Sequence, residues 1–308
     1  MDIKEVYKPI EKELFLVQKR LGEIKTYDNK TLASILKYFH NQDGKLIRPA
    51  LFFLSGTENI REIDLALSIE LIHIASLLHD DIIDEADTRR GKETINKKWG
   101  KNWAVLVGDL FLAKAFNTLV EYRNKRLIEI FTKGCLIMCQ GQMLELEGGI
   151  DIIDEERYFR TIYQKTAHLF ELSCLSGAIV GKEDEKRLSA YGRYLGFSFQ
   201  ITDDILDIKG DGKKKPKFLD IKNKKLTLPL IYVLKNASPK EKAYIYNLIK
   251  NLDISSIKEI MNKYGAIEYA RNAAKNYCDA AMDAISSLKS PYKNSLIELA
   301  FFVLERKN

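Results

Sequence analysis

Residues 62–85 read EIDLALSIELIHIASLLHDDIIDE. Apolar side chains return every three or four residues, the rhythm of an α-helix. The stretch ends in carboxylates. Asp80 and Asp84 are four residues apart, which on a helix puts them about 40° apart in azimuth and about 6 Å apart along one face. Two like charges so close repel each other. A divalent cation between them cancels that cost. An all-oxygen donor set suits magnesium, which takes one or two carboxylates and completes its shell with phosphate oxygens.

The pattern occurs again at residues 197–207, FSFQITDDILD, where Asp203 and Asp207 have the same spacing and Asp204 stands between them. Leu195, Phe197, Phe199 and Ile201 precede this cluster, so its helix is expected to be largely buried. Two such helices facing each other would set a metal cradle at the mouth of an apolar cavity, and the natural guest is a diphosphate with an apolar tail. Helical periodicity also marks residues 3–24, 104–122, 126–147, 155–181, 186–208, 227–235, 239–250, 254–263, 265–288 and 290–305. No proline falls between Pro49 and Pro216, which suits long uninterrupted helices. These features predict an all-α protein: a single domain over residues 1–308, built as a bundle of about ten to twelve helices around a deep apolar central cavity.

Composition agrees. The chain has 308 residues, 46% hydrophobic and 30% charged, with 6 prolines and 17 glycines. That excludes collagen-like and disordered classes and disfavours a β-sandwich. The net charge is only +6 because 43 acidic residues accompany 49 basic ones. This points to an anionic ligand rather than to nucleic acid, for which no zinc or RNA-binding motif is present. Cys135 and Cys139 lie one helical turn apart, a spacing unlike a disulfide framework or a zinc ribbon, so all four cysteines, with Cys174 and Cys278, are expected reduced and mostly buried. The charged opening MDIKEVYKPIEKELF has no signal-peptide pattern, and no uncharged run approaches the roughly 20 residues of a membrane span. A cytoplasmic protein is expected.

Cations complete the pattern. Lys45 and Arg48 sit in DGKLIRP, Arg89 and Arg90 follow the first cluster, and His73 lies two turns before Asp80 on the same face. Metals would hold one diphosphate; Lys, Arg and His side chains would hold a second without metal.

Together these residues resemble the trans-isoprenyl diphosphate synthase family over roughly residues 40–232. Gly44-Lys45-Leu46-Ile47-Arg48-Pro49 is similar to its GKxxRP motif. His79 through Asp84 followed by Arg89-Arg90-Gly91 is similar to its first Asp-rich motif. Lys165-Thr166 resembles its KT motif, Gly196 through Asp207 its GxxFQxxDDxxD, and Thr227-Leu228-Pro229 its TLP. The resemblance implies that Asp80, Asp84 and Asp203 ligate Mg2+, with Asp81, Asp204 and Asp207 supporting the shell. It implies that Arg89, Lys165 and Lys225 contact an allylic diphosphate primer, that Lys45, Arg48, His73 and Arg90 bind isopentenyl diphosphate, and that Thr166 and Gln200 present oxygens to the forming cation. It also implies a homodimer. The loop pattern GKPxGxD departs from the family: Lys214-Lys215-Pro216-Lys217-Phe218-Leu219-Asp220 has both glycines replaced, and Lys224 stands where a glycine is expected before Lys225.

In this family, side chains below the first Asp cluster limit product length. Ala75 and Ser76, five and four residues before Asp80, are small, and Ile72 and Ser68 lie further down. A helical turn of about 5.4 Å is comparable to one isoprene unit. The reading is a long-chain polyprenyl diphosphate synthase, with a floor from Phe131, Cys135 and Met138. Gln142-Met143-Leu144-Glu145 resembles a pattern of some shorter-chain members, so a geranylgeranyl diphosphate synthase is the close alternative. A terpene cyclase and a non-catalytic partner subunit are more remote. No membrane span is expected, although a lipophilic product leaves room for peripheral contact.

Overall fold

The structure, a computed structural model, describes residues 2–24, 28–40, 44–56, 62–89, 91–150, 152–209, 219–223 and 225–306. Its described residues are mostly helical, and their one strand pairing is a short hairpin in which Thr88 pairs with Glu93 and Arg89 with Lys92. The segments read from periodicity appear as Ile63–Ile83, Lys101–Tyr122, Lys125–Leu146, Glu185–Lys209, Leu228–Asn236, Pro239–Lys250, Ile254–Lys263, Ala266–Ala284 and Lys293–Glu305. Caps explain several starts. Asn124 and Asp154 accept hydrogen bonds from backbone N–H groups of the turns they open, and Ser238 forms a reciprocal capping box with Glu241. In Thr227-Leu228-Pro229, Pro229 sits in the first helical turn, where its missing N–H costs nothing.

There are more segments than the expected ten to twelve, for physical reasons. Pro9 breaks residues 3–24 into Ile3–Tyr7, a 3-10 turn at Lys8–Ile10, and Glu11–Gly22. Residues 155–181 contain a π-helical turn at Tyr163–Ala167 between Glu155–Ile162 and His168–Gly181. Helices Lys30–His40, Ile47–Leu54 and Ile95–Trp99 were not anticipated; the last two are short, with little room for a period to repeat.

Two apolar cores form. The larger joins Ile63–Ile83, Lys101–Tyr122, Ile47–Leu54, His168–Gly181 and Lys293–Glu305; the smaller joins the helices between Leu228 and Ala284. Helix Glu185–Lys209 belongs to both. Leu188, Tyr191 and Leu195 are buried in the first, and Ile201, Ile205 and Ile208 in the second. The second aspartate cluster therefore lies where this helix has passed from one core to the other. Among the described residues, Lys101–Tyr122 is the one helix long and apolar enough, by length and composition, to cross a membrane. It buries Val107, Phe111, Ala115 and Leu119 and leaves Leu106 and Val120 exposed. All four cysteines are free, and Cys174 and Cys278 are buried as expected, but Cys139 is exposed.

Candidate active site

The first aspartate helix, Ile63–Ile83, stops at Asp84, and the chain turns back through Glu85 in a left-handed conformation. Asn96 donates to the carbonyls of Asp81 and Ala86, and Thr94 donates to the Ala86 carbonyl at 2.7 Å. These bonds fix the turn that carries Arg89. Opposite stands the π-helical turn with Lys165 and Thr166. It is squeezed between two glycines: a Cβ at Gly141 would come within 2.8 Å of the Lys165 nitrogen, and one at Gly196 within 2.4 Å of the Ala167 Cα. Only glycine permits backbones to approach so closely, and this approach brings Thr166 within hydrogen-bond distance of Gln200.

A cavity of about 550 Å3 opens between these elements. Asp80 and Asp203 both line it, one from each aspartate helix. Lys45, Arg48, His73 and Arg89 form part of its wall, and Lys165, Thr166 and Gln200 another part. Leu46, Ile47, Leu77, Phe199 and Leu206 give it apolar surface. Leu46 takes a left-handed conformation at φ 46°, which is costly for a residue with a Cβ. The hydroxyl of Tyr7 donates to the Lys45 carbonyl at 2.8 Å and braces this turn. Lys45 sits over the Phe302 ring and Arg48 over the Phe170 ring, at 5.4 and 5.0 Å from the centroids.

The carboxylates divide by environment. Asp80 is largely buried with its nearest cation, Lys165, 3.8 Å away. Burial pushes its carboxyl above the usual range, against the pull of Lys165. Asp84 accepts from Lys225 at 2.9 Å. Asp203 faces Arg306 at 2.9 Å. Asp207 accepts from the backbone N–H of Asp220. Two expected shell members point elsewhere. Asp81 is buried against Arg89, at 2.8 Å. Asp204 is also buried, and its oxygens accept from Tyr158 at 2.6 Å and Gln200 at 2.8 Å. Burial, then Asp220, pushes Asp204 well up. Asp220 itself is pushed up to about 7 by burial and Asp207.

Lys225 lines an adjoining cavity of about 200 Å3 that shares Lys165, Thr166 and Gln200 with the larger one. It reaches Asp84 and, at 3.0 Å, Glu145, which also accepts from Lys165 at 2.6 Å. Burial alone would raise Glu145; the two ammonium groups more than offset it and hold the carboxyl below its usual range. Glu145 and Arg306 were not placed in the site by sequence reasoning. Glu145 was read only as part of a length pattern. Arg306 lies in the last turn of chain, where no spacing links it to Asp203. Its guanidinium is buried 3.7 Å over the Phe199 ring centroid and donates to the Phe199 carbonyl.

Of the length-setting candidates, Ser76 lines the cavity, and its hydroxyl donates back to the His73 carbonyl. Ser68, Ile72 and Ala75 are buried on the face turned to Lys101–Tyr122, where Ser68 approaches the Ala115 carbonyl and His79 abuts Gly108 and Asp109. Phe131 is buried and Met138 half-buried against the larger core. Arg90 and residues 210–218, with Lys215 and Lys217, lie outside the described residues.

The donor set fits a hard divalent ion. Its members are carboxylate oxygens on both sides of one cavity, and one of them, Asp80, is largely buried with its nearest cation, Lys165, 3.8 Å away. Among the described residues no three His, Cys, Asp or Glu donors converge on one point. That suits an ion whose remaining ligands come from phosphate and water better than one needing an all-protein cage.

Known proteins are similar to this chain in sequence and fold. An octaprenyl diphosphate synthase of Escherichia coli is 36% identical over 87% of this chain and 88% of its own length. The crystal structure of a decaprenyl diphosphate synthase from Rhodobacter capsulatus superposes with a TM-score of 0.92 at 30% identity, covering all of both chains. A polyprenyl synthase from Caulobacter crescentus, complexed with calcium and isoprenyl diphosphate, gives 0.93 at 28% identity over 100% of this chain and 98% of that one. The polyprenyl synthetase family model matches residues 29–264, a span that holds both aspartate clusters, the Lys45–Arg48 turn and the Lys165–Thr166 turn. The chain belongs to the polyprenyl synthetase family.

Proposed function

We propose that the protein is a magnesium-dependent trans-prenyltransferase. It condenses an allylic diphosphate with isopentenyl diphosphate head to tail, and it repeats the step to a long-chain polyprenyl diphosphate. The observation that carries this reading is a single cavity with carboxylates of both aspartate helices on its wall beside a separate set of cations. Asp80, Asp84 and Asp203 would hold Mg2+, which when bound neutralises charge on the leaving diphosphate.

The remaining work falls to this chain's residues. Glu145 pairs with both Lys165 and Lys225 and gathers their ammonium groups where the leaving group departs. Burial opposes the charge on Lys225, but Glu145 and Asp84 raise its pKa well above the usual lysine range. Lys45, Arg48 and His73 line the same cavity and seat isopentenyl diphosphate, so that its double bond lies beside the allylic carbon. Gln200 and Thr166 offer oxygens to the developing cation, and the released diphosphate takes the proton. A terpene cyclase has no use for the Lys45–Arg48 set, and a non-catalytic subunit has no use for two intact clusters.

Small side chains at Ser68, Ala75 and Ser76 support the long product. Geranylgeranyl synthesis is the second reading, favoured by Gln142 and Glu145; Gln142 lies 3.5 Å from Glu145 at the site's edge. Chromatography of dephosphorylated products made from farnesyl and geranylgeranyl primers with labelled isopentenyl diphosphate separates the two. Products beyond geranylgeranyl are expected. A stop at geranylgeranyl selects the second reading, and a cyclic hydrocarbon formed without isopentenyl diphosphate removes both.

A homodimer completes the proposal. Leu106, Val120, Leu136, Met143 and Leu146 form exposed apolar surface on Lys101–Tyr122 and Lys125–Leu146, and a second copy would cover it. Light scattering gives the mass in solution. A cytoplasmic location is part of the proposal.

A further inference from the structure

Gln200 stands in the partition between the two cavities and lines both. A side-chain amide has a donating end and an accepting end, and the two occupy nearly the same space. Something must decide which end meets Thr166. On the far side lies Asp204, which lines only the smaller cavity and is 4% exposed. Both Asp204 oxygens act as acceptors here. One Asp204 oxygen takes the Gln200 N–H at 2.8 Å, so the Gln200 carbonyl oxygen is left for Thr166, whose hydroxyl donates to it at 2.7 Å. The other Asp204 oxygen takes the hydroxyl of Tyr158 at 2.6 Å. Tyr158 comes from helix Glu155–Ile162, is itself buried, and packs in the smaller core.

We infer that Tyr158 and Asp204 are positioning residues that lock the Gln200 amide with its oxygen, not its N–H groups, toward Thr166 and the reacting carbon. The inference rests on the prenyl-transfer reading and extends it to two residues whose side chains line only the smaller cavity. An amide turned the other way would aim N–H dipoles at a developing allylic cation and raise the barrier. Turning the amide would break its N–H bond to Asp204 and set its oxygen against the Asp204 oxygen that now accepts that bond. Tyr158 supplies the second hydrogen bond that a buried carboxylate needs and keeps Asp204 aimed at Gln200. Asp204 thus works from behind the wall, whereas Asp203, one residue earlier, lines the larger cavity.

A double-mutant cycle tests this. Tyr158→Phe removes one oxygen and keeps the ring. With a farnesyl diphosphate primer and isopentenyl diphosphate, kcat should fall about tenfold, as for loss of one buried hydrogen bond. Both KM values should stay within about twofold, since ground-state binding is untouched. In a Gln200→Met background the same substitution should cost less than about twofold, because no amide remains to be oriented. Asp204→Asn, which can hold either end of the amide, is the second variant and should show the same masking. If Gln200→Met is too slow to follow, Thr166→Val provides the second background. Equal losses in both backgrounds would overturn the inference, as would a Tyr158→Phe enzyme with unchanged kcat. So would a loss that tracks a lowered unfolding midpoint and shifts both KM values. Wild-type protein without any condensation would instead overturn the prenyl-transfer reading itself.

Discussion

The two Asp-Asp-x-x-Asp segments are alike in sequence and unlike in surroundings. The first ends its helix: Asp84 closes Ile63–Ile83, and the chain leaves through a bonded turn and a hairpin. The second lies within Glu185–Lys209, on a stretch whose flanking isoleucines are buried. Yet the middle aspartate behaves the same way in both. Asp81 and Asp204 are each 4% exposed and each engaged sideways, by Arg89 and by Tyr158 with Gln200. The cause is helical geometry: successive residues differ by about 100° in azimuth, so the second aspartate points away from the face that the first and fifth positions share. Six carboxylates in two equal triplets become two cavity-facing residues, Asp80 and Asp203, with partners held around them. Each cluster also draws a counter-ion from much later in the chain, Lys225 for Asp84 and Arg306 for Asp203.

The largest expected effect separates facing from flanking carboxylates. Asp80→Ala and Asp203→Ala should each lower kcat by about two to three orders of magnitude, the range for loss of one electrostatic anchor of a transition state. Asp81→Ala should cost less in turnover and more in folding, since it strands Arg89. Steady-state kinetics with denaturant titration gives both quantities. Wild-type turnover in Asp80→Ala or Asp203→Ala would remove the metal assignment, and equal turnover losses at Asp80 and Asp81 would erase the distinction between them.

The next effect distinguishes the helices by what lies beneath them. Ala75 is one turn below Asp80 and buried toward Lys101–Tyr122. If the growing chain descends along the first helix, Ala75→Phe should shorten the product by about one or two isoprene units, each close to a helical turn. An unchanged product distribution by chromatography would move the path away from the first helix.

The counter-ions come third. Arg306→Met removes the partner of Asp203 and a cation stacked 3.7 Å over Phe199. It should lower unfolding free energy by about 2 kcal/mol, less than for a fully buried pair because Asp203 is partly exposed. Lys225→Met leaves Asp84 and Glu145 without their shared ammonium group. It should cost a similar amount and also raise KM for the allylic substrate. If Arg306→Met left stability unchanged, the last turn of the chain would have no part in holding the second cluster.

Helix positions were legible because periodicity is local, and the aspartate spacing was legible because it defines one helix face. The same holds for Lys45 and Arg48, whose motif contains its own turn. The strained Leu46 conformation and its brace from Tyr7 were not legible, since Tyr7 and Lys45 are 38 residues apart with no pattern between them. Arg306 was missed for the same reason, at 103 residues from Asp203 by number, 306 against 203. Glu145 was seen but assigned by resemblance; only the meeting of three helices and a loop shows that it joins Lys165 to Lys225. The π-helical turn was not legible in the pattern, because a single turn is too brief to establish a period of its own.

The smallest effect has the opposite sign in the two neighbours Asp80 and Asp81, and pH separates it from packing. Burial raises the Asp80 carboxyl above its unfolded value, so the folded chain binds that proton more readily than the unfolded chain does. Its ionised form therefore costs stability above the folded pKa, and the cost disappears as pH falls below the unfolded one. Asp80→Asn should raise unfolding free energy at neutral pH by a few tenths to about 1 kcal/mol and flatten the pH dependence on the acid side. Asp81 is raised by burial too, but Arg89 bonds it directly at 2.8 Å, and breaking that pair outweighs the relief, so Asp81→Asn should lower stability at neutral pH. Urea titrations from pH 4 to pH 8 would read both slopes. Stabilisation by both substitutions would show that Asp81 is held no better than Asp80, and destabilisation by both would show that Asp80 is already satisfied without a metal.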